Sequence, residues 1–442
     1  MEIGRSGRLM RLRRMGRMPL ISPRLWWRRV VFWVGAFVVA AVAVGFAKAA
    51  DWAGALFLHF VAGHAWLPFV VAPVGLTIAF LLTRYVFPGA QGSGIPQTIA
   101  ALHMHDPAKV DRVLSPRIAV GKVLLTLLGL ASGASIGREG PTVQVGASIM
   151  HALGNLLQLP RLELRRALIL AGGAAGVAAA FNTPLAGIVF AIEELSHSFE
   201  SRTSGTVFTA VVVAGATTLG LVGNYTYFGQ TAAILPNDAA WLAVIVCSLA
   251  GGLAGGLFSQ ALIIAARGLP GRAGQWIMRY PVAFAALCGL LLAVIGTLSG
   301  GHTYGTGYAQ ARGMVEEHST LPASYALLKL AATVVSYVSG IPGGIFAPSL
   351  SIGAGLGSVL APLVPAAPVG AMILLGMTAY FSGVVQAPIT SAVIVMEMTA
   401  NQSLMIPLMA TAFLSFAVSR LVCRRPLYGA LARRFLQVQE GH

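Results

Sequence analysis

Fourteen acidic residues occur in this 442-residue chain, and ten of them fall in termini or polar connections. The other four, Glu139, Glu193, Glu194 and Glu397, sit inside apolar sequence. A carboxylate in apolar surroundings is costly to place and by default marks an ion or proton path. A carboxyl withdrawn from water also holds its proton more tightly, so such a group can load and release protons near neutral pH. Glu139 is the most conspicuous, because it stands beside Arg138 in SIGREGP, residues 135 to 141. Neighbours on a helix point about 100° apart, so Arg138 cannot be assumed to neutralise it.

Other chemistries are less well supported. GASIG, Gly133 to Gly137, fits the GxSxG pattern of a serine hydrolase. That motif needs a strand, a sharp turn and a helix, with acid and histidine partners later in the chain. Here it lies in apolar helical sequence, and its counterpart GIPGG lacks the serine. His103 and His105 in LHMHDP form no metal-binding spacing and read as loop residues; no metal site is expected. Cys247, Cys288 and Cys423 are far apart, make no CxxC pair, and read as packing residues.

The elements that must position these carboxylates are membrane helices. The chain is 56% hydrophobic and 10% charged, with a mean hydropathy of +0.77, which places it among integral membrane proteins. Apolar stretches near 30–47, 67–82, 118–131, 206–222, 240–266, 281–298, 369–384 and 403–422 approach the roughly 20 residues that a span needs. Short alternating segments, the mark of an outer-membrane barrel, are scarce, so the expected fold class is all-α. AKA at 47–49 resembles a signal cleavage site, but the apolar run before it is too long, and an uncleaved first helix is expected.

Net charge is +16, and much of it is arginine in the N-terminal arm, residues 1–29. Basic residues abutting an apolar span follow the positive-inside rule, which is preferred here over nucleic-acid binding and places the N-terminus in the cytoplasm. Arg420, Arg424, Arg425, Arg433 and Arg434 flank the last span in the same way, giving a transport domain over 30–425 and a short cytoplasmic tail over 426–442.

Sliding the chain against itself exposes a duplication. SGASIGREGPTVQVGAS from Ser132 aligns with SGIPGGIFAPSLSIGAG from Ser339, pairing Gly137 with Gly344, Pro141 with Pro348 and Gly146 with Gly353. NTPLAGIVFAIEE from Asn182 aligns with QAPITSAVIVMEM from Gln386, pairing Glu193 with Glu397. The repeats run over about 30–222 and 240–425. Transporters built from repeats place their site where broken helices of the two copies meet. Helices are expected to start near Glu139 and Phe346, and their unpaired N–H groups and partial positive charge suit a permeating anion. GSGIP, Gly92 to Pro96, is a third such start, and Ser93 offers a hydroxyl to the same anion. Glu193 and Glu397, being equivalent, are expected to share a structural role, such as accepting backbone hydrogen bonds at a helix end. Glu139 and Glu194 face Phe346 and Met398 in the other copy, and this asymmetry suggests specialised tasks.

These motifs resemble the CLC family of chloride channels and proton/chloride exchangers, in particular its bacterial exchangers. The three filter motifs appear in order: Gly92, Ser93, Gly94, Ile95 and Pro96; Gly137, Arg138, Glu139, Gly140 and Pro141; then Gly344, Ile345, Phe346, Ala347 and Pro348. FNTPLAGIVFAIEE and RPLYGAL, Arg425 to Leu431, fit as well, so the likeness covers nearly the whole chain. It implies a homodimer in a lipid membrane, the bacterial inner membrane, each subunit with its own pore in an inverted-repeat bundle of tilted and broken helices. It implies no cofactor and no enzyme activity. By resemblance, chloride is held by the hydroxyls of Ser93 and Tyr428 and by the backbone N–H groups of Ile345 and Phe346. Glu139 is the external gate, and Glu194 is the internal proton-transfer residue. The presence of Glu194 favours proton-coupled antiport over a passive channel, the alternative reading; Ser93 favours chloride over nitrate. Gln97 departs from the acidic residue that many exchangers carry there. Residues after Tyr428 leave no room for the paired nucleotide-binding domains of many eukaryotic members, so regulation by nucleotide is not expected.

Overall fold

The computed structural model describes residues 23–157, 162–196, 201–316 and 319–440. The arginines of the N-terminal arm before Pro23 lie outside them, as do Glu2, Glu200 and Glu317. The described residues are almost entirely helical, with two isolated backbone bridges and no strand. In chain order the helices are α1 Pro23–Ala62, α2 Pro68–Leu81, α3 Ile95–His103, α4 Pro107–Asp111, α5 Pro116–Ala131, α6 Glu139–Leu156, α7 Leu162–Phe181, α8 Pro184–Phe190, α9 Ser201–Val222 and α10 Asn237–Arg267. They continue as α11 Gly271–Arg279, α12 Pro281–Leu298, α13 Tyr308–Glu316, α14 Tyr325–Val338, α15 Phe346–Leu360, α16 Val369–Val385, α17 Pro388–Thr399, α18 Met405–Val422 and α19 Leu427–Glu440.

Nine segments among the described residues are long and apolar enough to cross a membrane. The 40 residues of α1 would extend about 60 Å, twice the hydrocarbon thickness, so this helix must tilt or project. The AKA sequence lies in its middle. Proline starts many of the helices: Pro68, Pro107, Pro116, Pro184, Pro281 and Pro388 stand first, where the missing N–H costs nothing. Outward faces carry large apolar side chains, among them Leu421, Ile406 and Leu298, as a lipid-facing surface requires.

The duplication seen in sequence is a duplication in space. Glycines 133 and 340 both take positive φ, at 80° and 84°, in the turns that precede α6 and α15. Asn182 and Gln386, also equivalent, both enter the left-handed region, at 56° and 61°, just before the prolines that start α8 and α17. Helices α6 and α7 cross backbone to backbone through Gly146 and Gly172, and α15 and α16 repeat that crossing through Gly353 and Gly376. Close approach through small residues is how helices associate where lipid supplies no hydrophobic force between them. At the centre Gly137 and Gly344 exchange two N–H···O bonds of 2.7 Å in antiparallel sense, so a local two-fold relates the repeats.

Residues 426–440 differ from the expected tail. Leu427 and Tyr428 are fully buried, Leu431 and Ala432 nearly so, and α19 packs against α3 and α10. The packed bundle therefore continues past the boundary expected at 425, because the apolar face of α19 is buried against those two helices.

Candidate functional site

Three helix starts converge, and backbone pairing holds them together. The N–H of Gly92 donates to Ile341 O at 3.2 Å and the N–H of Gly343 donates back to Gly92 O at 3.0 Å, tying the approach to α3 to the approach to α15. The Gly137–Gly344 pair ties α6 to α15. Gly140, in the first turn of α6, lies so close to the start of α3 that a Cβ there would stand 2.5 Å from Ser93 Oγ and 2.9 Å from Ser93 O. Only glycine permits this approach. All three expected starts, at Ile95, Glu139 and Phe346, appear where the sequence places them.

Ser93 and Tyr428 meet beside this junction. Both are buried; the two hydroxyls lie within reach of each other, and neither is otherwise hydrogen-bonded to protein among the described residues. A buried unpaired hydroxyl costs about 1–3 kcal/mol, and a bond between the two can use only one of their two O–H donors, so the other is left to donate to a further acceptor. The ring of Tyr428 is stacked on Phe346 with centroids 6.1 Å apart, and Phe346 is held in turn by Phe381 at 4.7 Å and Phe190 at 5.8 Å. This collar fixes the first residue of α15, whose N-terminal amides and partial positive charge border the same space. A cavity of about 630 Å³ reaches Gly92 and Ser93 from the end of the bundle that carries α19, with Arg112 and Arg434 on its wall.

On the other side of the junction stands Glu139. Its side chain turns back over Gly137, and the backbone of Ala347 in the first turn of α15 lies close enough to interact with it. Oε1 accepts a hydrogen bond of 3.1 Å from the hydroxyl of Tyr227; Oε2 has no partner among the described residues. The carboxylate therefore lies at the α15 N-terminus. Glu194, on a π-helical turn that extends α8 through Ser196, is buried, and its Oε1 also lacks a partner. Tyr428 is within electrostatic reach of both carboxylates. π-turns inside helices often mark functional positions.

The other two apolar glutamates do something different. Glu193 accepts from the backbone N–H groups of Ile389, at 3.1 Å, and Thr390, at 2.6 Å, at the start of α17. Glu397 accepts from Leu185, at 3.1 Å, and Ala186, at 2.8 Å, at the start of α8. Each repeat thus caps the other's helix, the structural role expected from their equivalence.

Arg138 acts on Glu139 through its charge but makes no hydrogen bond to it. Its guanidinium donates to Asp51 Oδ1 at 2.6 Å and to Ala47 O, both on α1, and lies over the ring of Tyr227 at 6.0 Å. Ser135 hydrogen-bonds Thr333 Oγ1 through its hydroxyl and Ser336 Oγ through its N–H, both at 2.9 Å, so its partners are packing residues of α14 rather than a base. Gln97 also finds its reason: its Nε2 donates to Gln91 O at 2.5 Å and Gly89 O at 3.2 Å, bonds that a carboxylate could not make. Lys122 supports the same loop, donating to Gly92 O at 2.9 Å.

Sequence reasoning passed over Lys122 and Tyr227. Lys122 precedes Ser132 by the same interval that separates Lys329 from Ser339, and both lysines are fully buried with their ammonium groups on loop carbonyls. Extending the self-alignment ten residues upstream would have found the pair. Tyr227 lies in the connector between the repeats, has no counterpart, and left no signal.

A family model described as voltage gated chloride channel matches residues 74–420. The H(+)/Cl(-) exchange transporter ClcA of Yersinia pestis bv. Antiqua (strain Angola) is 32% identical, over 99% of this chain and 92% of that protein. The protein of that name from Salmonella typhimurium (strain LT2) is 30% identical over 90% of this chain and 87% of its own length. Among solved structures, a slow cyanobacterial Cl-/H+ antiporter superposes with a TM-score of 0.79 at 25% identity, covering 93% of this chain and 99% of that one. A CLC-type fluoride/proton antiporter shares the fold, with a TM-score of 0.77 at 24% identity, over 92% of this chain and 98% of its own. With three helix starts joined beside buried hydroxyls, and with the family match spanning most of its length, the chain belongs to the voltage-gated chloride channel (CLC) family.

Proposed function

We propose that this multi-pass membrane protein exchanges chloride for protons. One observation carries the reading: four buried oxygens, on Ser93, Tyr428, Glu139 and Glu194, make no hydrogen bond to the protein beyond the contact between the two hydroxyls, and Tyr428 is within electrostatic reach of both carboxyls. Two belong to hydroxyls that can donate to an anion and two to carboxyls that can carry a proton. Chloride enters through the cavity beside Arg112 and Arg434 and is held by Ser93, Tyr428 and the α15 amides of Ile345 and Phe346. The charged Glu139 carboxylate competes for the neighbouring anion position; protonation cancels its charge and lets it leave. Glu194 passes the proton at the other end, with Tyr428 between the two carboxyls. The names of the relatives, exchange transporters for H(+) and Cl(-), support the same assignment.

Purified protein in liposomes with a chloride gradient should drive protons uphill. Glu194→Gln should stop that movement while chloride flux continues. Chloride flux with no proton movement in the unmodified protein would replace the exchanger by a passive channel.

The reading extends to a pair of copies in a bacterial inner membrane with both termini in the cytoplasm. Its support is the family likeness and the arginines 424, 425, 433 and 434 flanking α18. Light scattering in detergent should give twice the 45.9 kDa chain mass; a single-copy mass would contradict it.

A further inference from the structure

Tyr227 belongs to neither repeat. It sits in the connector between α9 and α10, yet it reaches the carboxylate proposed above as the gate. Its ring is buried and confined on every side: Tyr308 at 4.7 Å, Phe228 at 4.9 Å and Phe181 at 5.4 Å meet it edge to face, and the Arg138 guanidinium lies over it. The connector is itself anchored to both repeats. Asn182, between α7 and α8, donates to Tyr225 O at 2.9 Å; the N–H of Phe228 donates to Met398 O at 3.1 Å; and Asn401, after α17, donates to Thr231 O and Ala233 O, both at 3.0 Å. A ring so held gives its hydroxyl one direction, and Glu139 Oε1 lies there at 3.1 Å.

We propose that the Tyr227 hydroxyl is the latch that holds the charged Glu139 carboxylate across the pore, so that this connector residue sets the acidity at which the gate opens. The inference rests on the gate reading of Glu139. Tyr227 is a positioning residue, since it acts on chloride only through Glu139.

The physical reason is one of charge. A hydroxyl bound to a carboxylate donates a charge-assisted bond that weakens when the carboxyl gains a proton. Tyr227 therefore favours the charged, closed form over the protonated, released form. The other charged or titratable groups that bear on Glu139 are Arg138 before it on its own chain, Tyr428 across the junction, and Asp51 of α1 through Arg138. Tyr308 meets it through the Tyr227 ring. Arg138 is already bound by Asp51 and Ala47 O, and Tyr428 faces the anion position, which leaves Tyr227 as the side chain that hydrogen-bonds the gate among the described residues.

Tyr227→Phe keeps the ring and its contacts and removes the latch alone. In liposomes the midpoint of chloride flux against external pH should move toward less acid pH by about one unit, as loss of a roughly tenfold preference for the charged form requires. Chloride binding at neutral pH, measured by calorimetry in detergent, should tighten by several fold because the carboxylate competes less well. Neither effect should appear when Tyr227→Phe is placed in a Glu139→Gln background. A flux profile and chloride affinity that superimpose on those of the parent, or a shift toward more acid pH, would overturn the latch. So would an equal change in the Glu139→Gln background, which would mean that Tyr227 acts elsewhere. Failure of the gate reading is separate: Glu139→Gln would then leave the parent pH profile in place.

Discussion

Glu193, Glu194 and Glu397 are chemically alike, but the structure divides them, and Glu397→Ala tests the division. Its two oxygens hold two amides at the start of α8. The amide of Ala186 belongs to a fully buried residue, so losing its acceptor leaves it unpaired at about 1–3 kcal/mol. Leu185 is exposed at 56%, and its amide recovers much of its loss elsewhere, about 0.5 kcal/mol remaining. Removing the negative charge from the helix N-terminus adds roughly 0.5 kcal/mol. The sum is about 2–4 kcal/mol, a fall of several degrees in the thermal midpoint of the detergent-solubilised protein. Glu193→Ala removes the matching pair at Ile389, exposed at 40%, and Thr390, fully buried, so it should cost a similar amount. Protons moved per chloride should be unchanged in both. Glu194→Gln should do the reverse, abolishing proton movement while leaving the thermal midpoint at or above that of the parent, because its carboxyl has an unpaired oxygen to lose. A Glu397→Ala protein that melts normally but no longer couples would refute the reasoning, since the carboxylate would then serve protons rather than backbone.

Other outcomes follow from the same geometry. Glu139→Gln should leave chloride flux intact, independent of pH and uncoupled from protons in a vesicle flux assay. Tyr428→Phe and Ser93→Ala each remove one hydroxyl from the anion position and should weaken chloride binding about tenfold by calorimetry, a hydrogen bond to a charged partner being worth about 1.5 kcal/mol or more. Gly140→Ala should abolish chloride binding altogether, because its Cβ would displace the Ser93 backbone as well as its side chain. Gln97→Glu would set a carboxylate against Gly89 O and Gln91 O and should lower the thermal midpoint; adding Lys122→Met, which removes the nearby cation on Gln91 O, should lower it further.

Much of the fold was legible because membrane burial writes itself into composition, and because duplication lets one half of the chain annotate the other. The starts of α6 and α15 could be read from SGxxxGxxxP, since glycine and proline there answer to backbone geometry. Glu193 and Glu397 pair in the sequence alone, and their reciprocal caps follow from that equivalence. What stayed hidden depends on contacts between distant segments. Arg138 could be set apart from its neighbour Glu139 but given no role of its own; its guanidinium belongs to Asp51, 87 residues earlier. Tyr227 is one aromatic residue in a polar connector, and nothing local distinguishes it from Tyr225 two positions before. The end of the bundle was placed at 425 because arginines mark a membrane edge, whereas burial of α19 is decided by what it packs against. Charge patterning locates where a chain leaves the lipid, and a helix can turn back into the protein after that point.

Coupling is the claim on which the rest depends, and simultaneous recording of chloride and proton flux in liposomes addresses it. With a chloride gradient and no proton gradient, the unmodified protein should move protons against the direction of chloride, and both Glu194→Gln and Glu139→Gln should end that movement while chloride still passes. Chloride flux in the unmodified protein without any proton movement, or proton pumping that survives Glu139→Gln, would contradict the account.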